Sequence, residues 1–340
     1  MSERLEDIAV KMVTDGKGLL AADESTGTIK KRFDTIGLVS TEESRRDYRE
    51  MLFRSDEAIK KYISGVILYE ETLFQKAADG TPLVNIISAA DAIPGIKVDT
   101  GAKPMAGFPS ETVTEGLDGL ADRLAKYYDA GARFAKWRGV IAVSDKLPTF
   151  GSVKANAHAL ARYAALCQQA KIVPIVEPEV LMDGEPGTHD LARSEEVTRW
   201  TLQIVFQELA EARIKLEGMV LKPSMVIDGK KLRKASVEQV AESTVRVLKE
   251  TVPSAVPGIA FLSGGQAPEE ATAHLSAING YDLPWHVTFS YGRALQDASL
   301  KAWGGRAENV AAGQRAFAHR AEMNYLAAKG SWTKDSEKAA

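Results

Sequence analysis

The chain has 340 residues, enough for one large domain or two ordinary ones, and 45% of them are hydrophobic while 26% are charged. This composition is typical of a globular protein and excludes a wholly disordered chain. Because 43 Lys and Arg oppose 46 Asp and Glu, the formal net charge is −3. Such a balance argues against nucleic acid or an anionic membrane as the main partner.

Cysteine usage and the apolar runs indicate the compartment. The single cysteine, Cys167, has no partner for a disulfide, and the sequence contains no Asn-x-Ser/Thr site. Both features fit a reducing environment. No apolar run approaches the ~18 residues of a membrane helix, and the acidic N-terminus does not resemble a transit or signal peptide. We therefore expect a soluble, cytoplasmic protein with no membrane partner.

Short apolar, β-prone runs alternate along the chain with longer amphipathic stretches. Eight strands are predicted, at residues 16–22, 63–69, 93–98, 133–141, 172–180, 218–226, 258–265 and 286–292. The clearest helices are predicted at residues 116–130, 155–170, 194–216 and 236–251. Strands that alternate with helices form βαβ units and a parallel sheet.

Eight such strands in one uninterrupted chain favour an α/β fold of the (β/α)8 (TIM) barrel type over an open doubly wound sheet. No linker or low-complexity segment divides the sequence, so a single domain is predicted over residues 1–340. The segments before the first strand, between the first two strands and after the last strand hold the extra length as helical extensions. The tail at about residues 328–340 is expected to be flexible.

Charged residues interrupt these apolar strands or follow them directly. Barrel enzymes carry their chemistry at the C-terminal ends of the strands. Buried charges are costly unless they face one another in a polar site, so a set at one barrel mouth predicts a functional site. Its members, in strand order, are Asp23, Lys97, Lys136 with Arg138, Glu177 with Glu179, and Lys222.

The fourth and fifth strands carry matching charged pairs. Lys136 and Arg138 share one face of their strand while Trp137 points to the other face, and Glu177 and Glu179 are spaced in the same way. Neighbouring strands lie ~4.8 Å apart, so the two pairs can interdigitate. A buried ion-pair network is one interpretation. The functional one is favoured, because two close carboxylates lose their protons at different pH and so supply an acid and a base.

Lys222 follows Val220 and Leu221 in the most apolar setting of any lysine in the chain. Burial and a neighbouring cation, here Lys136, favour a nucleophilic amine that attacks a carbonyl. A lysine that merely reaches solvent from a strand end is the alternative. Its alignment with Glu177 on the adjacent strand favours Schiff-base chemistry.

Two groups of residues are candidate anion sites. The loops after the seventh and eighth strands recur as a phosphate site in barrels, and here they supply Ser263, Gly264, Ser290, Gly292 and Arg293. The second group combines Lys97 of the third strand with Ser25, Thr28 and Arg32. Each signal has an ordinary alternative, a turn at Ser263 and Gly264 and helix capping by Ser25 or Thr28.

No cofactor or metal is expected. The five histidines lack ligand spacing, and no G-x-G-x-x-G or Walker A motif is present. The charged runs at residues 42–50 and 230–234 are interpreted as solvent-exposed helix faces or loops.

These motifs resemble those of the class I fructose-1,6-bisphosphate aldolases. The resemblance extends over about residues 5–330, and the motifs occur in the family's order. They are LLAADESTG at 19–27, GIKVD at 95–99, FAKWR at 134–138, VPIVEPE at 173–179, LKP at 221–223, FLSGGQ at 261–266, FSYGRAL at 289–295 and KAWGG at 301–305.

The resemblance implies a role for each candidate catalytic residue. Lys222 matches the lysine that forms a Schiff base with the ketose C2 carbonyl, and Asp23 matches the carboxylate that takes the C4 hydroxyl proton. Glu177 matches the general acid and base of carbinolamine dehydration, and Lys136 and Glu179 match residues that tune and orient this pair. Ser263, Gly264, Gly292 and Arg293 would bind the C1 phosphate. The groups near the C6 phosphate would be Ser25, Thr28, Arg32, Lys97 and Arg138. Thr28 stands where many members have serine.

The C-terminus differs from the vertebrate members, which end in a flexible tail whose terminal tyrosine assists proton exchange. Residues 331–340 contain no tyrosine, and the last one is Tyr325 in a predicted helix. Either the tail is shortened or another group performs that step.

The expected activity is reversible, metal-independent cleavage of fructose 1,6-bisphosphate into dihydroxyacetone phosphate and glyceraldehyde 3-phosphate, in glycolysis and gluconeogenesis. The resemblance also implies a homotetramer, with phosphorylated ketoses and triose phosphates as the small-molecule partners. The alternatives are a Schiff-base aldolase that prefers another ketose, such as sedoheptulose 1,7-bisphosphate, and a non-catalytic barrel scaffold.

Overall fold

The computed structural model describes residues 3–184 and 186–338. Its strands are β1 (Gly18–Ala22), β2 (Ile63–Leu68), β3 (Ile93–Lys97), β4 (Gly101–Pro104), β5 (Thr112–Glu115), β6 (Phe134–Ile141), β7 (Val173–Val180), β8 (Val220–Leu221), β9 (Gly258–Phe261) and β10 (His286–Tyr291). Its α-helices are α1 (Leu5–Val13), α2 (Thr26–Asp34), α3 (Glu42–Phe53), α4 (Asp56–Tyr62), α5 (Glu70–Phe74), α6 (Leu83–Ala89), α7 (Leu120–Asp129), α8 (Phe150–Gln169), α9 (Leu191–Glu211), α10 (Val237–Thr251), α11 (Pro268–Ile278), α12 (Arg293–Trp303) and α13 (Val310–Ala328).

Eight of these strands close into a parallel barrel in the order β1-β10-β9-β8-β7-β6-β3-β2. The predicted (β/α)8 barrel is therefore confirmed. The remaining two strands, β4 and β5, form an antiparallel hairpin in which Ala102 lies opposite Thr114. This hairpin, between the third and fourth barrel strands, is missing from the sequence prediction because both strands are short and polar.

Apolar side chains form two cores, one between the barrel and its helices and one inside the barrel. The inner core contains Phe134, Ile175 and Val220, and Met12 of α1 packs on it. Helix α1 therefore closes the N-terminal end of the barrel. The C-terminal ends of the strands lie at the opposite end, where a polar cavity opens. At Gly95 a Cβ atom would overlap the ring of Phe134, so glycine leaves the space that this ring fills.

The sixth barrel strand is shorter than the predicted segment 218–226, and Lys222 lies directly after β8 rather than within it. The segment that follows is buried but irregular. Its backbone is satisfied by side chains of distant helices, since the N–H of Val226 donates to Thr244 Oγ1 (2.9 Å) and that of Ile227 donates to Ser194 Oγ (3.2 Å). Buried backbone groups need such partners, and nothing local in the sequence marks them.

Helix boundaries follow capping groups that the periodicity alone does not locate. Helix α9 begins three residues earlier than predicted because Asp190 caps it, accepting a hydrogen bond from Arg193 N–H (2.8 Å). Helix α7 begins later than predicted, after Gly116 and Gly119. These glycines have φ angles of 123° and 65°, which the helix does not allow.

The interpretation of the charged run at 42–50 as a solvent-exposed helix face is only partly correct, since Glu42 and Glu43 are exposed but other members are not. It forms most of α3, and its members Arg45 and Arg49 are buried, the latter to 1% exposure. They lie four residues apart and therefore share the inner face of the helix. The run at 230–234 forms a loop, as predicted.

The chain end packs on α13 as far as the structure describes it. Glu337 accepts hydrogen bonds from Arg320 (2.5 Å) and Trp332 (3.0 Å). Residues 339 and 340 of the predicted flexible tail lie outside the described residues, and its mobility stays a prediction. Within residues 3–184 and 186–338, no helix is long and apolar enough to cross a bilayer.

Candidate active site

A cavity of about 420 Å³ lies at the C-terminal ends of the barrel strands. Its wall includes every candidate residue from the sequence: Asp23, Ser25, Thr28, Arg32, Lys97, Lys136, Arg138, Glu177, Glu179, Lys222, Ser263, Gly264, Ser290, Gly292 and Arg293. The prediction that they converge on one mouth of the barrel is therefore correct. The roles of the individual residues stay predictions.

Four side chains form a continuous line of contacts across the floor of this cavity. Lys222 Nζ lies 3.2 Å from Glu177 Oε1, and Lys136 Nζ lies 3.3 Å from Glu177 Oε2 and 2.8 Å from Asp23 Oδ2. Lys136, Glu177 and Lys222 are each only 4% exposed. We call Asp23, Lys136, Glu177 and Lys222 the quartet.

The alternation of side chains along β6 and β7 produces this arrangement. The two strands are parallel and in register, with Arg138 opposite Glu177. Lys136 points into the cavity, while the intervening Trp137 is fully buried on the other face, with its ring 5.6 Å from that of Tyr163. The period-two pattern thus places the cations and carboxylates on the same side of adjacent strands.

The electrostatics of this site favour the charged forms of Asp23 and Lys136. Burial acts to raise the pKa of Asp23, but Lys136 and Lys222 outweigh it and hold this pKa well below its usual range. Burial acts to lower the pKa of Lys136, but Asp23, Glu177 and Asp99 outweigh it and raise this pKa. Two carboxylates and two lysines lie in the quartet, so its charges are balanced.

Two further ion pairs lie on the wall beside the quartet. Arg138 Nε donates to Glu179 Oε2, and this carboxylate, which outweighs burial, raises the pKa of Arg138. Lys97 Nζ lies 2.6 Å from Asp99 Oδ1 and donates to the backbone oxygen of the same residue. Asp99 belongs to the quoted GIKVD motif but was not among the candidate residues.

Ser25 and Thr28 follow β1, and their hydroxyl groups fit both interpretations of the sequence, helix capping and an anion site. Ser25 caps α2, accepting a hydrogen bond from Thr28 N–H at 3.4 Å, and the two hydroxyls lie 3.1 Å apart. Both residues also line the cavity. The capped N-terminus of α2 therefore faces the cavity, where its backbone N–H groups favour an anion.

The loops after β9 and β10 lie next to β1 and across the barrel mouth from β3 and β6. Gly264 adopts φ +51°. Arg293 Nη2 donates to the backbone oxygen of Gly264 (3.0 Å) and to Asp183 Oδ2 (3.2 Å). Asp183 was not identified from the sequence. Ser290 Oγ is buried and has no hydrogen-bond partner among the residues that the structure describes.

Several cavity residues were missed by sequence reasoning, and Glu24 is the one with a recognisable signal, as an acidic neighbour of Asp23. The others are Ala21, Tyr69, Asp99, Thr100, Gly101, Ala102, Val140 and Leu262. Thr100, Gly101 and Ala102 enter the cavity through the unpredicted hairpin. Tyr325 is not on the cavity wall and packs instead against Tyr62, with 5.3 Å between ring centroids.

Comparison with known proteins identifies the family. Residues 4–340 match the sequence model of a protein family that is described as fructose-bisphosphate aldolase class-I. The chain belongs to the class I fructose-bisphosphate aldolases. Class I aldolases use a lysine Schiff base and bind phosphorylated sugars. In the described ranges, no group of three or more His, Cys, Asp or Glu side chains is placed to hold a metal ion.

Individual aldolases match this one over nearly their whole length. The "Probable fructose-bisphosphate aldolase class 1" of Xanthomonas campestris pv. campestris is 53% identical over 333 residues, covering 97% of this chain and 98% of that one. The fructose-bisphosphate aldolase of Drosophila melanogaster is 50% identical over 338 residues, covering 99% and 93%.

A solved structure shares the fold closely. It is the fructose-bisphosphate aldolase of Plasmodium falciparum in complex with TRAP and a small-molecule inhibitor, with a TM-score of 0.94 and 49% identity. The alignment covers 97% of this chain and 95% of that chain. This aldolase is therefore an aldehyde-lyase that cleaves fructose 1,6-bisphosphate in glycolysis. The comparisons do not favour the alternatives of another ketose or a non-catalytic scaffold.

Proposed function

We propose that Lys222 is the lysine that forms the Schiff base in this aldolase. The observation that carries the proposal is the line of contacts within the quartet. Lys222 is only 4% exposed, so its amine lies in a water-poor setting. Glu177, at 3.2 Å, is a partner for the proton of this amine. A lysine amine is a nucleophile only after it gives up a proton, so a carboxylate in contact with it has a direct use.

Formation of the Schiff base requires two proton transfers at C2 of the substrate. The neutral amine of Lys222 attacks the ketose carbonyl, and a carbinolamine results. Glu177 then gives a proton to the departing hydroxyl group, so that water leaves and a protonated iminium remains. Lys136, 3.3 Å from the other oxygen of Glu177, stabilises the carboxylate whenever it is ionised.

Cleavage of the C3–C4 bond requires a base at the C4 hydroxyl, and we assign this role to Asp23. Its lowered pKa keeps it ionised and able to accept a proton. As the bond breaks, the electron pair moves to the iminium, glyceraldehyde 3-phosphate leaves and a neutral enamine remains. The enamine gains a proton at C3, which balances the one lost from the C4 hydroxyl. Hydrolysis of the resulting iminium releases dihydroxyacetone phosphate and restores Lys222.

The cationic residues of the two opposite walls suit the two phosphates of the substrate. We assign the C1 phosphate to Ser263, Gly264, Ser290, Gly292 and Arg293 and the C6 phosphate to Ser25, Thr28, Lys97 and Arg138. All of these groups line the same cavity as the quartet. The family resemblance places Arg32 with the C6 group. Its Nη2 also lies close to Gly292, 3.4 Å from the position that a Cβ atom would occupy there. Arg32 therefore reaches the C1 wall as well.

We also propose a single domain over residues 1–340, a homotetrameric assembly and a cytoplasmic location. The family resemblance supports the tetramer, and the buried, unpaired thiol of Cys167 supports a reducing compartment. Light scattering tests the assembly through the molar mass, for which we expect about four times the 36.8 kDa of one chain.

Reductive trapping tests the Schiff base. Borohydride added together with dihydroxyacetone phosphate reduces the iminium to a stable secondary amine, so the enzyme is inactivated. Peptide mass spectrometry should then locate the added triose phosphate on Lys222. Borohydride without the triose phosphate is the control and should leave the activity intact. A label on another lysine, or full activity after reduction, would refute the assignment.

Lys97→Met tests the assignment of the phosphate ends. Because Lys97 is placed at the C6 phosphate, we expect the KM for fructose 1,6-bisphosphate to rise about tenfold, the size of one lost charged contact. The KM for fructose 1-phosphate, which lacks that phosphate, should not change. Steady-state kinetics with both substrates measures this, with the exposed Lys103→Met of β4 as the matched control. Equal effects on both substrates would contradict the assignment.

A further inference from the structure

Glu24 follows Asp23 directly and lines the cavity, but its side chain is only 4% exposed. Glu24 Oε1 lies 2.6 Å from Arg32 Nη1 of α2 and accepts a hydrogen bond from Gln296 Nε2 of α12 at 3.0 Å. A buried carboxylate is costly unless charged or polar groups compensate it. Here groups from two different helices do so, which fixes the side chain in one orientation.

Helix α3 holds the same residue from a third side. Arg49, 1% exposed, donates from Nη2 to the backbone oxygen of Glu24 (2.7 Å), and the same nitrogen lies 3.8 Å from Oε2. Its other terminal nitrogen donates to Thr72 (2.6 Å) and lies 3.7 Å from Glu71. Arg49 therefore anchors both the backbone and the carboxylate of Glu24 to the interior of the protein.

Arg32 is the cation of this network that lines the cavity. Burial acts to lower its pKa, but Glu24, together with Tyr48, Asp297 and Asp23, outweighs burial and raises this pKa, so the guanidinium stays charged. Glu24 is its only ion-pair partner among residues 3–184 and 186–338. While Nη1 faces Glu24, Nη2 faces the loop at Gly292, close enough that a Cβ atom there would lie at 3.4 Å.

We propose that Glu24 is a positioning residue for phosphate recognition, which holds the guanidinium of Arg32 against the loop after β10. This inference rests on the proposed phosphate-binding role of Arg32. An arginine side chain has several rotatable bonds, so holding it in place before the substrate arrives lowers the entropic cost of binding. Glu24 uses one edge of the guanidinium and leaves another edge for the phosphate.

The test is a double-mutant cycle between Glu24→Gln and Arg32→Gln, with the KM for fructose 1,6-bisphosphate as the readout. Glu24→Gln alone should raise the KM about tenfold and change kcat much less, because the loss is in binding. In the Arg32→Gln background the same substitution should have almost no further effect, since nothing remains to be positioned. Glu24→Asp keeps the charge on a shorter side chain and should give an intermediate KM. This variant replaces Glu24→Gln in the cycle if Glu24→Gln does not fold.

Glu71→Gln is the matched control, because Glu71 contacts Arg45 and Arg49 but not Arg32. It should lower the melting temperature without changing the KM. A merely structural role for Glu24 would appear as an equal effect in both backgrounds, or as a fall in kcat at constant KM, and either result would overturn the proposal. Borohydride trapping at Lys222 should persist in Glu24→Gln at saturating dihydroxyacetone phosphate. Failure of trapping in the unmodified enzyme would concern the Schiff base and not Glu24.

Discussion

Lys222→Met is expected to abolish the cleavage of fructose 1,6-bisphosphate while the barrel stays folded. Removing the nucleophile of a covalent mechanism typically costs several orders of magnitude, and we expect kcat to fall by at least about 10⁴. Methionine is similar in length and fits the apolar setting between Leu221 and Pro223. Glu177 keeps its contact with Lys136 at 3.3 Å, so the substitution leaves no buried carboxylate without a cation. The measurement is the rate of triose phosphate release.

The control for Lys222→Met is Lys11→Met, because Lys11 pairs with the exposed Asp91 away from the cavity. This variant should retain full activity. Lys222→Arg keeps the positive charge but offers no amine that becomes neutral at working pH, so it should be as inactive as Lys222→Met. If Lys222→Met retained substantial activity, both the Schiff-base assignment and the mechanism built on the quartet would fail.

Lys136→Met has the second largest expected effect, because Lys136 contacts two carboxylates at once. We expect kcat to fall by about 10² to 10³, as for the loss of one assisted proton transfer. The free energy of unfolding should fall by about 3 kcal/mol, since Asp23 and Glu177 lose a buried partner. Urea denaturation measures the free energy of unfolding. The loss of stability should exceed that in Lys222→Met, because Asp23 loses its ion pair with Lys136 here and keeps it there.

The pH dependence of Lys136→Met follows from the charges around Asp23. In the unmodified enzyme Lys136 and Lys222 outweigh burial and keep the pKa of Asp23 low, so this carboxylate contributes stability above its unfolded pKa of about 3.9 and loses it as the pH falls further. Without Lys136, burial is opposed by fewer cations and the pKa rises. The acidic limb of the profile of kcat/KM should therefore move to higher pH. Lys136→Arg retains the charge, so its acidic limb should stay low. An unshifted limb in Lys136→Met would mean that Asp23 is not the base.

The core of the site could be predicted because strand geometry is simple. Lys136 and Arg138 alternate with an apolar residue on one strand, and Glu177 and Glu179 do so on the next. The parallel sheet then brings the pairs together without further information. Lys222 was identified by its contrast with apolar neighbours, which is also a local signal.

The rest of the site depends on contacts between segments distant in sequence. Glu24 could not be singled out from the sequence, because Arg49 and Gln296 reach it from α3 and α12. The burial of Arg49 was missed although its spacing from Arg45 places both on one helix face, since a run rich in charge normally faces solvent. The short β8 and the buried loop after it depend on hydroxyl groups of α9 and α10, and no pattern near Lys222 reveals them.

The balanced charge of the quartet has a consequence for the energetics of the proposed reaction. A protonated iminium carries the same charge as the ammonium group of Lys222 that it replaces. When the C3–C4 bond breaks, the iminium becomes neutral as Asp23 is neutralised by the incoming proton. Each step thus exchanges charge between neighbouring groups and leaves the total unchanged. Creating net charge in a poorly hydrated site is expensive, and a pathway of this kind avoids that cost throughout the catalytic cycle.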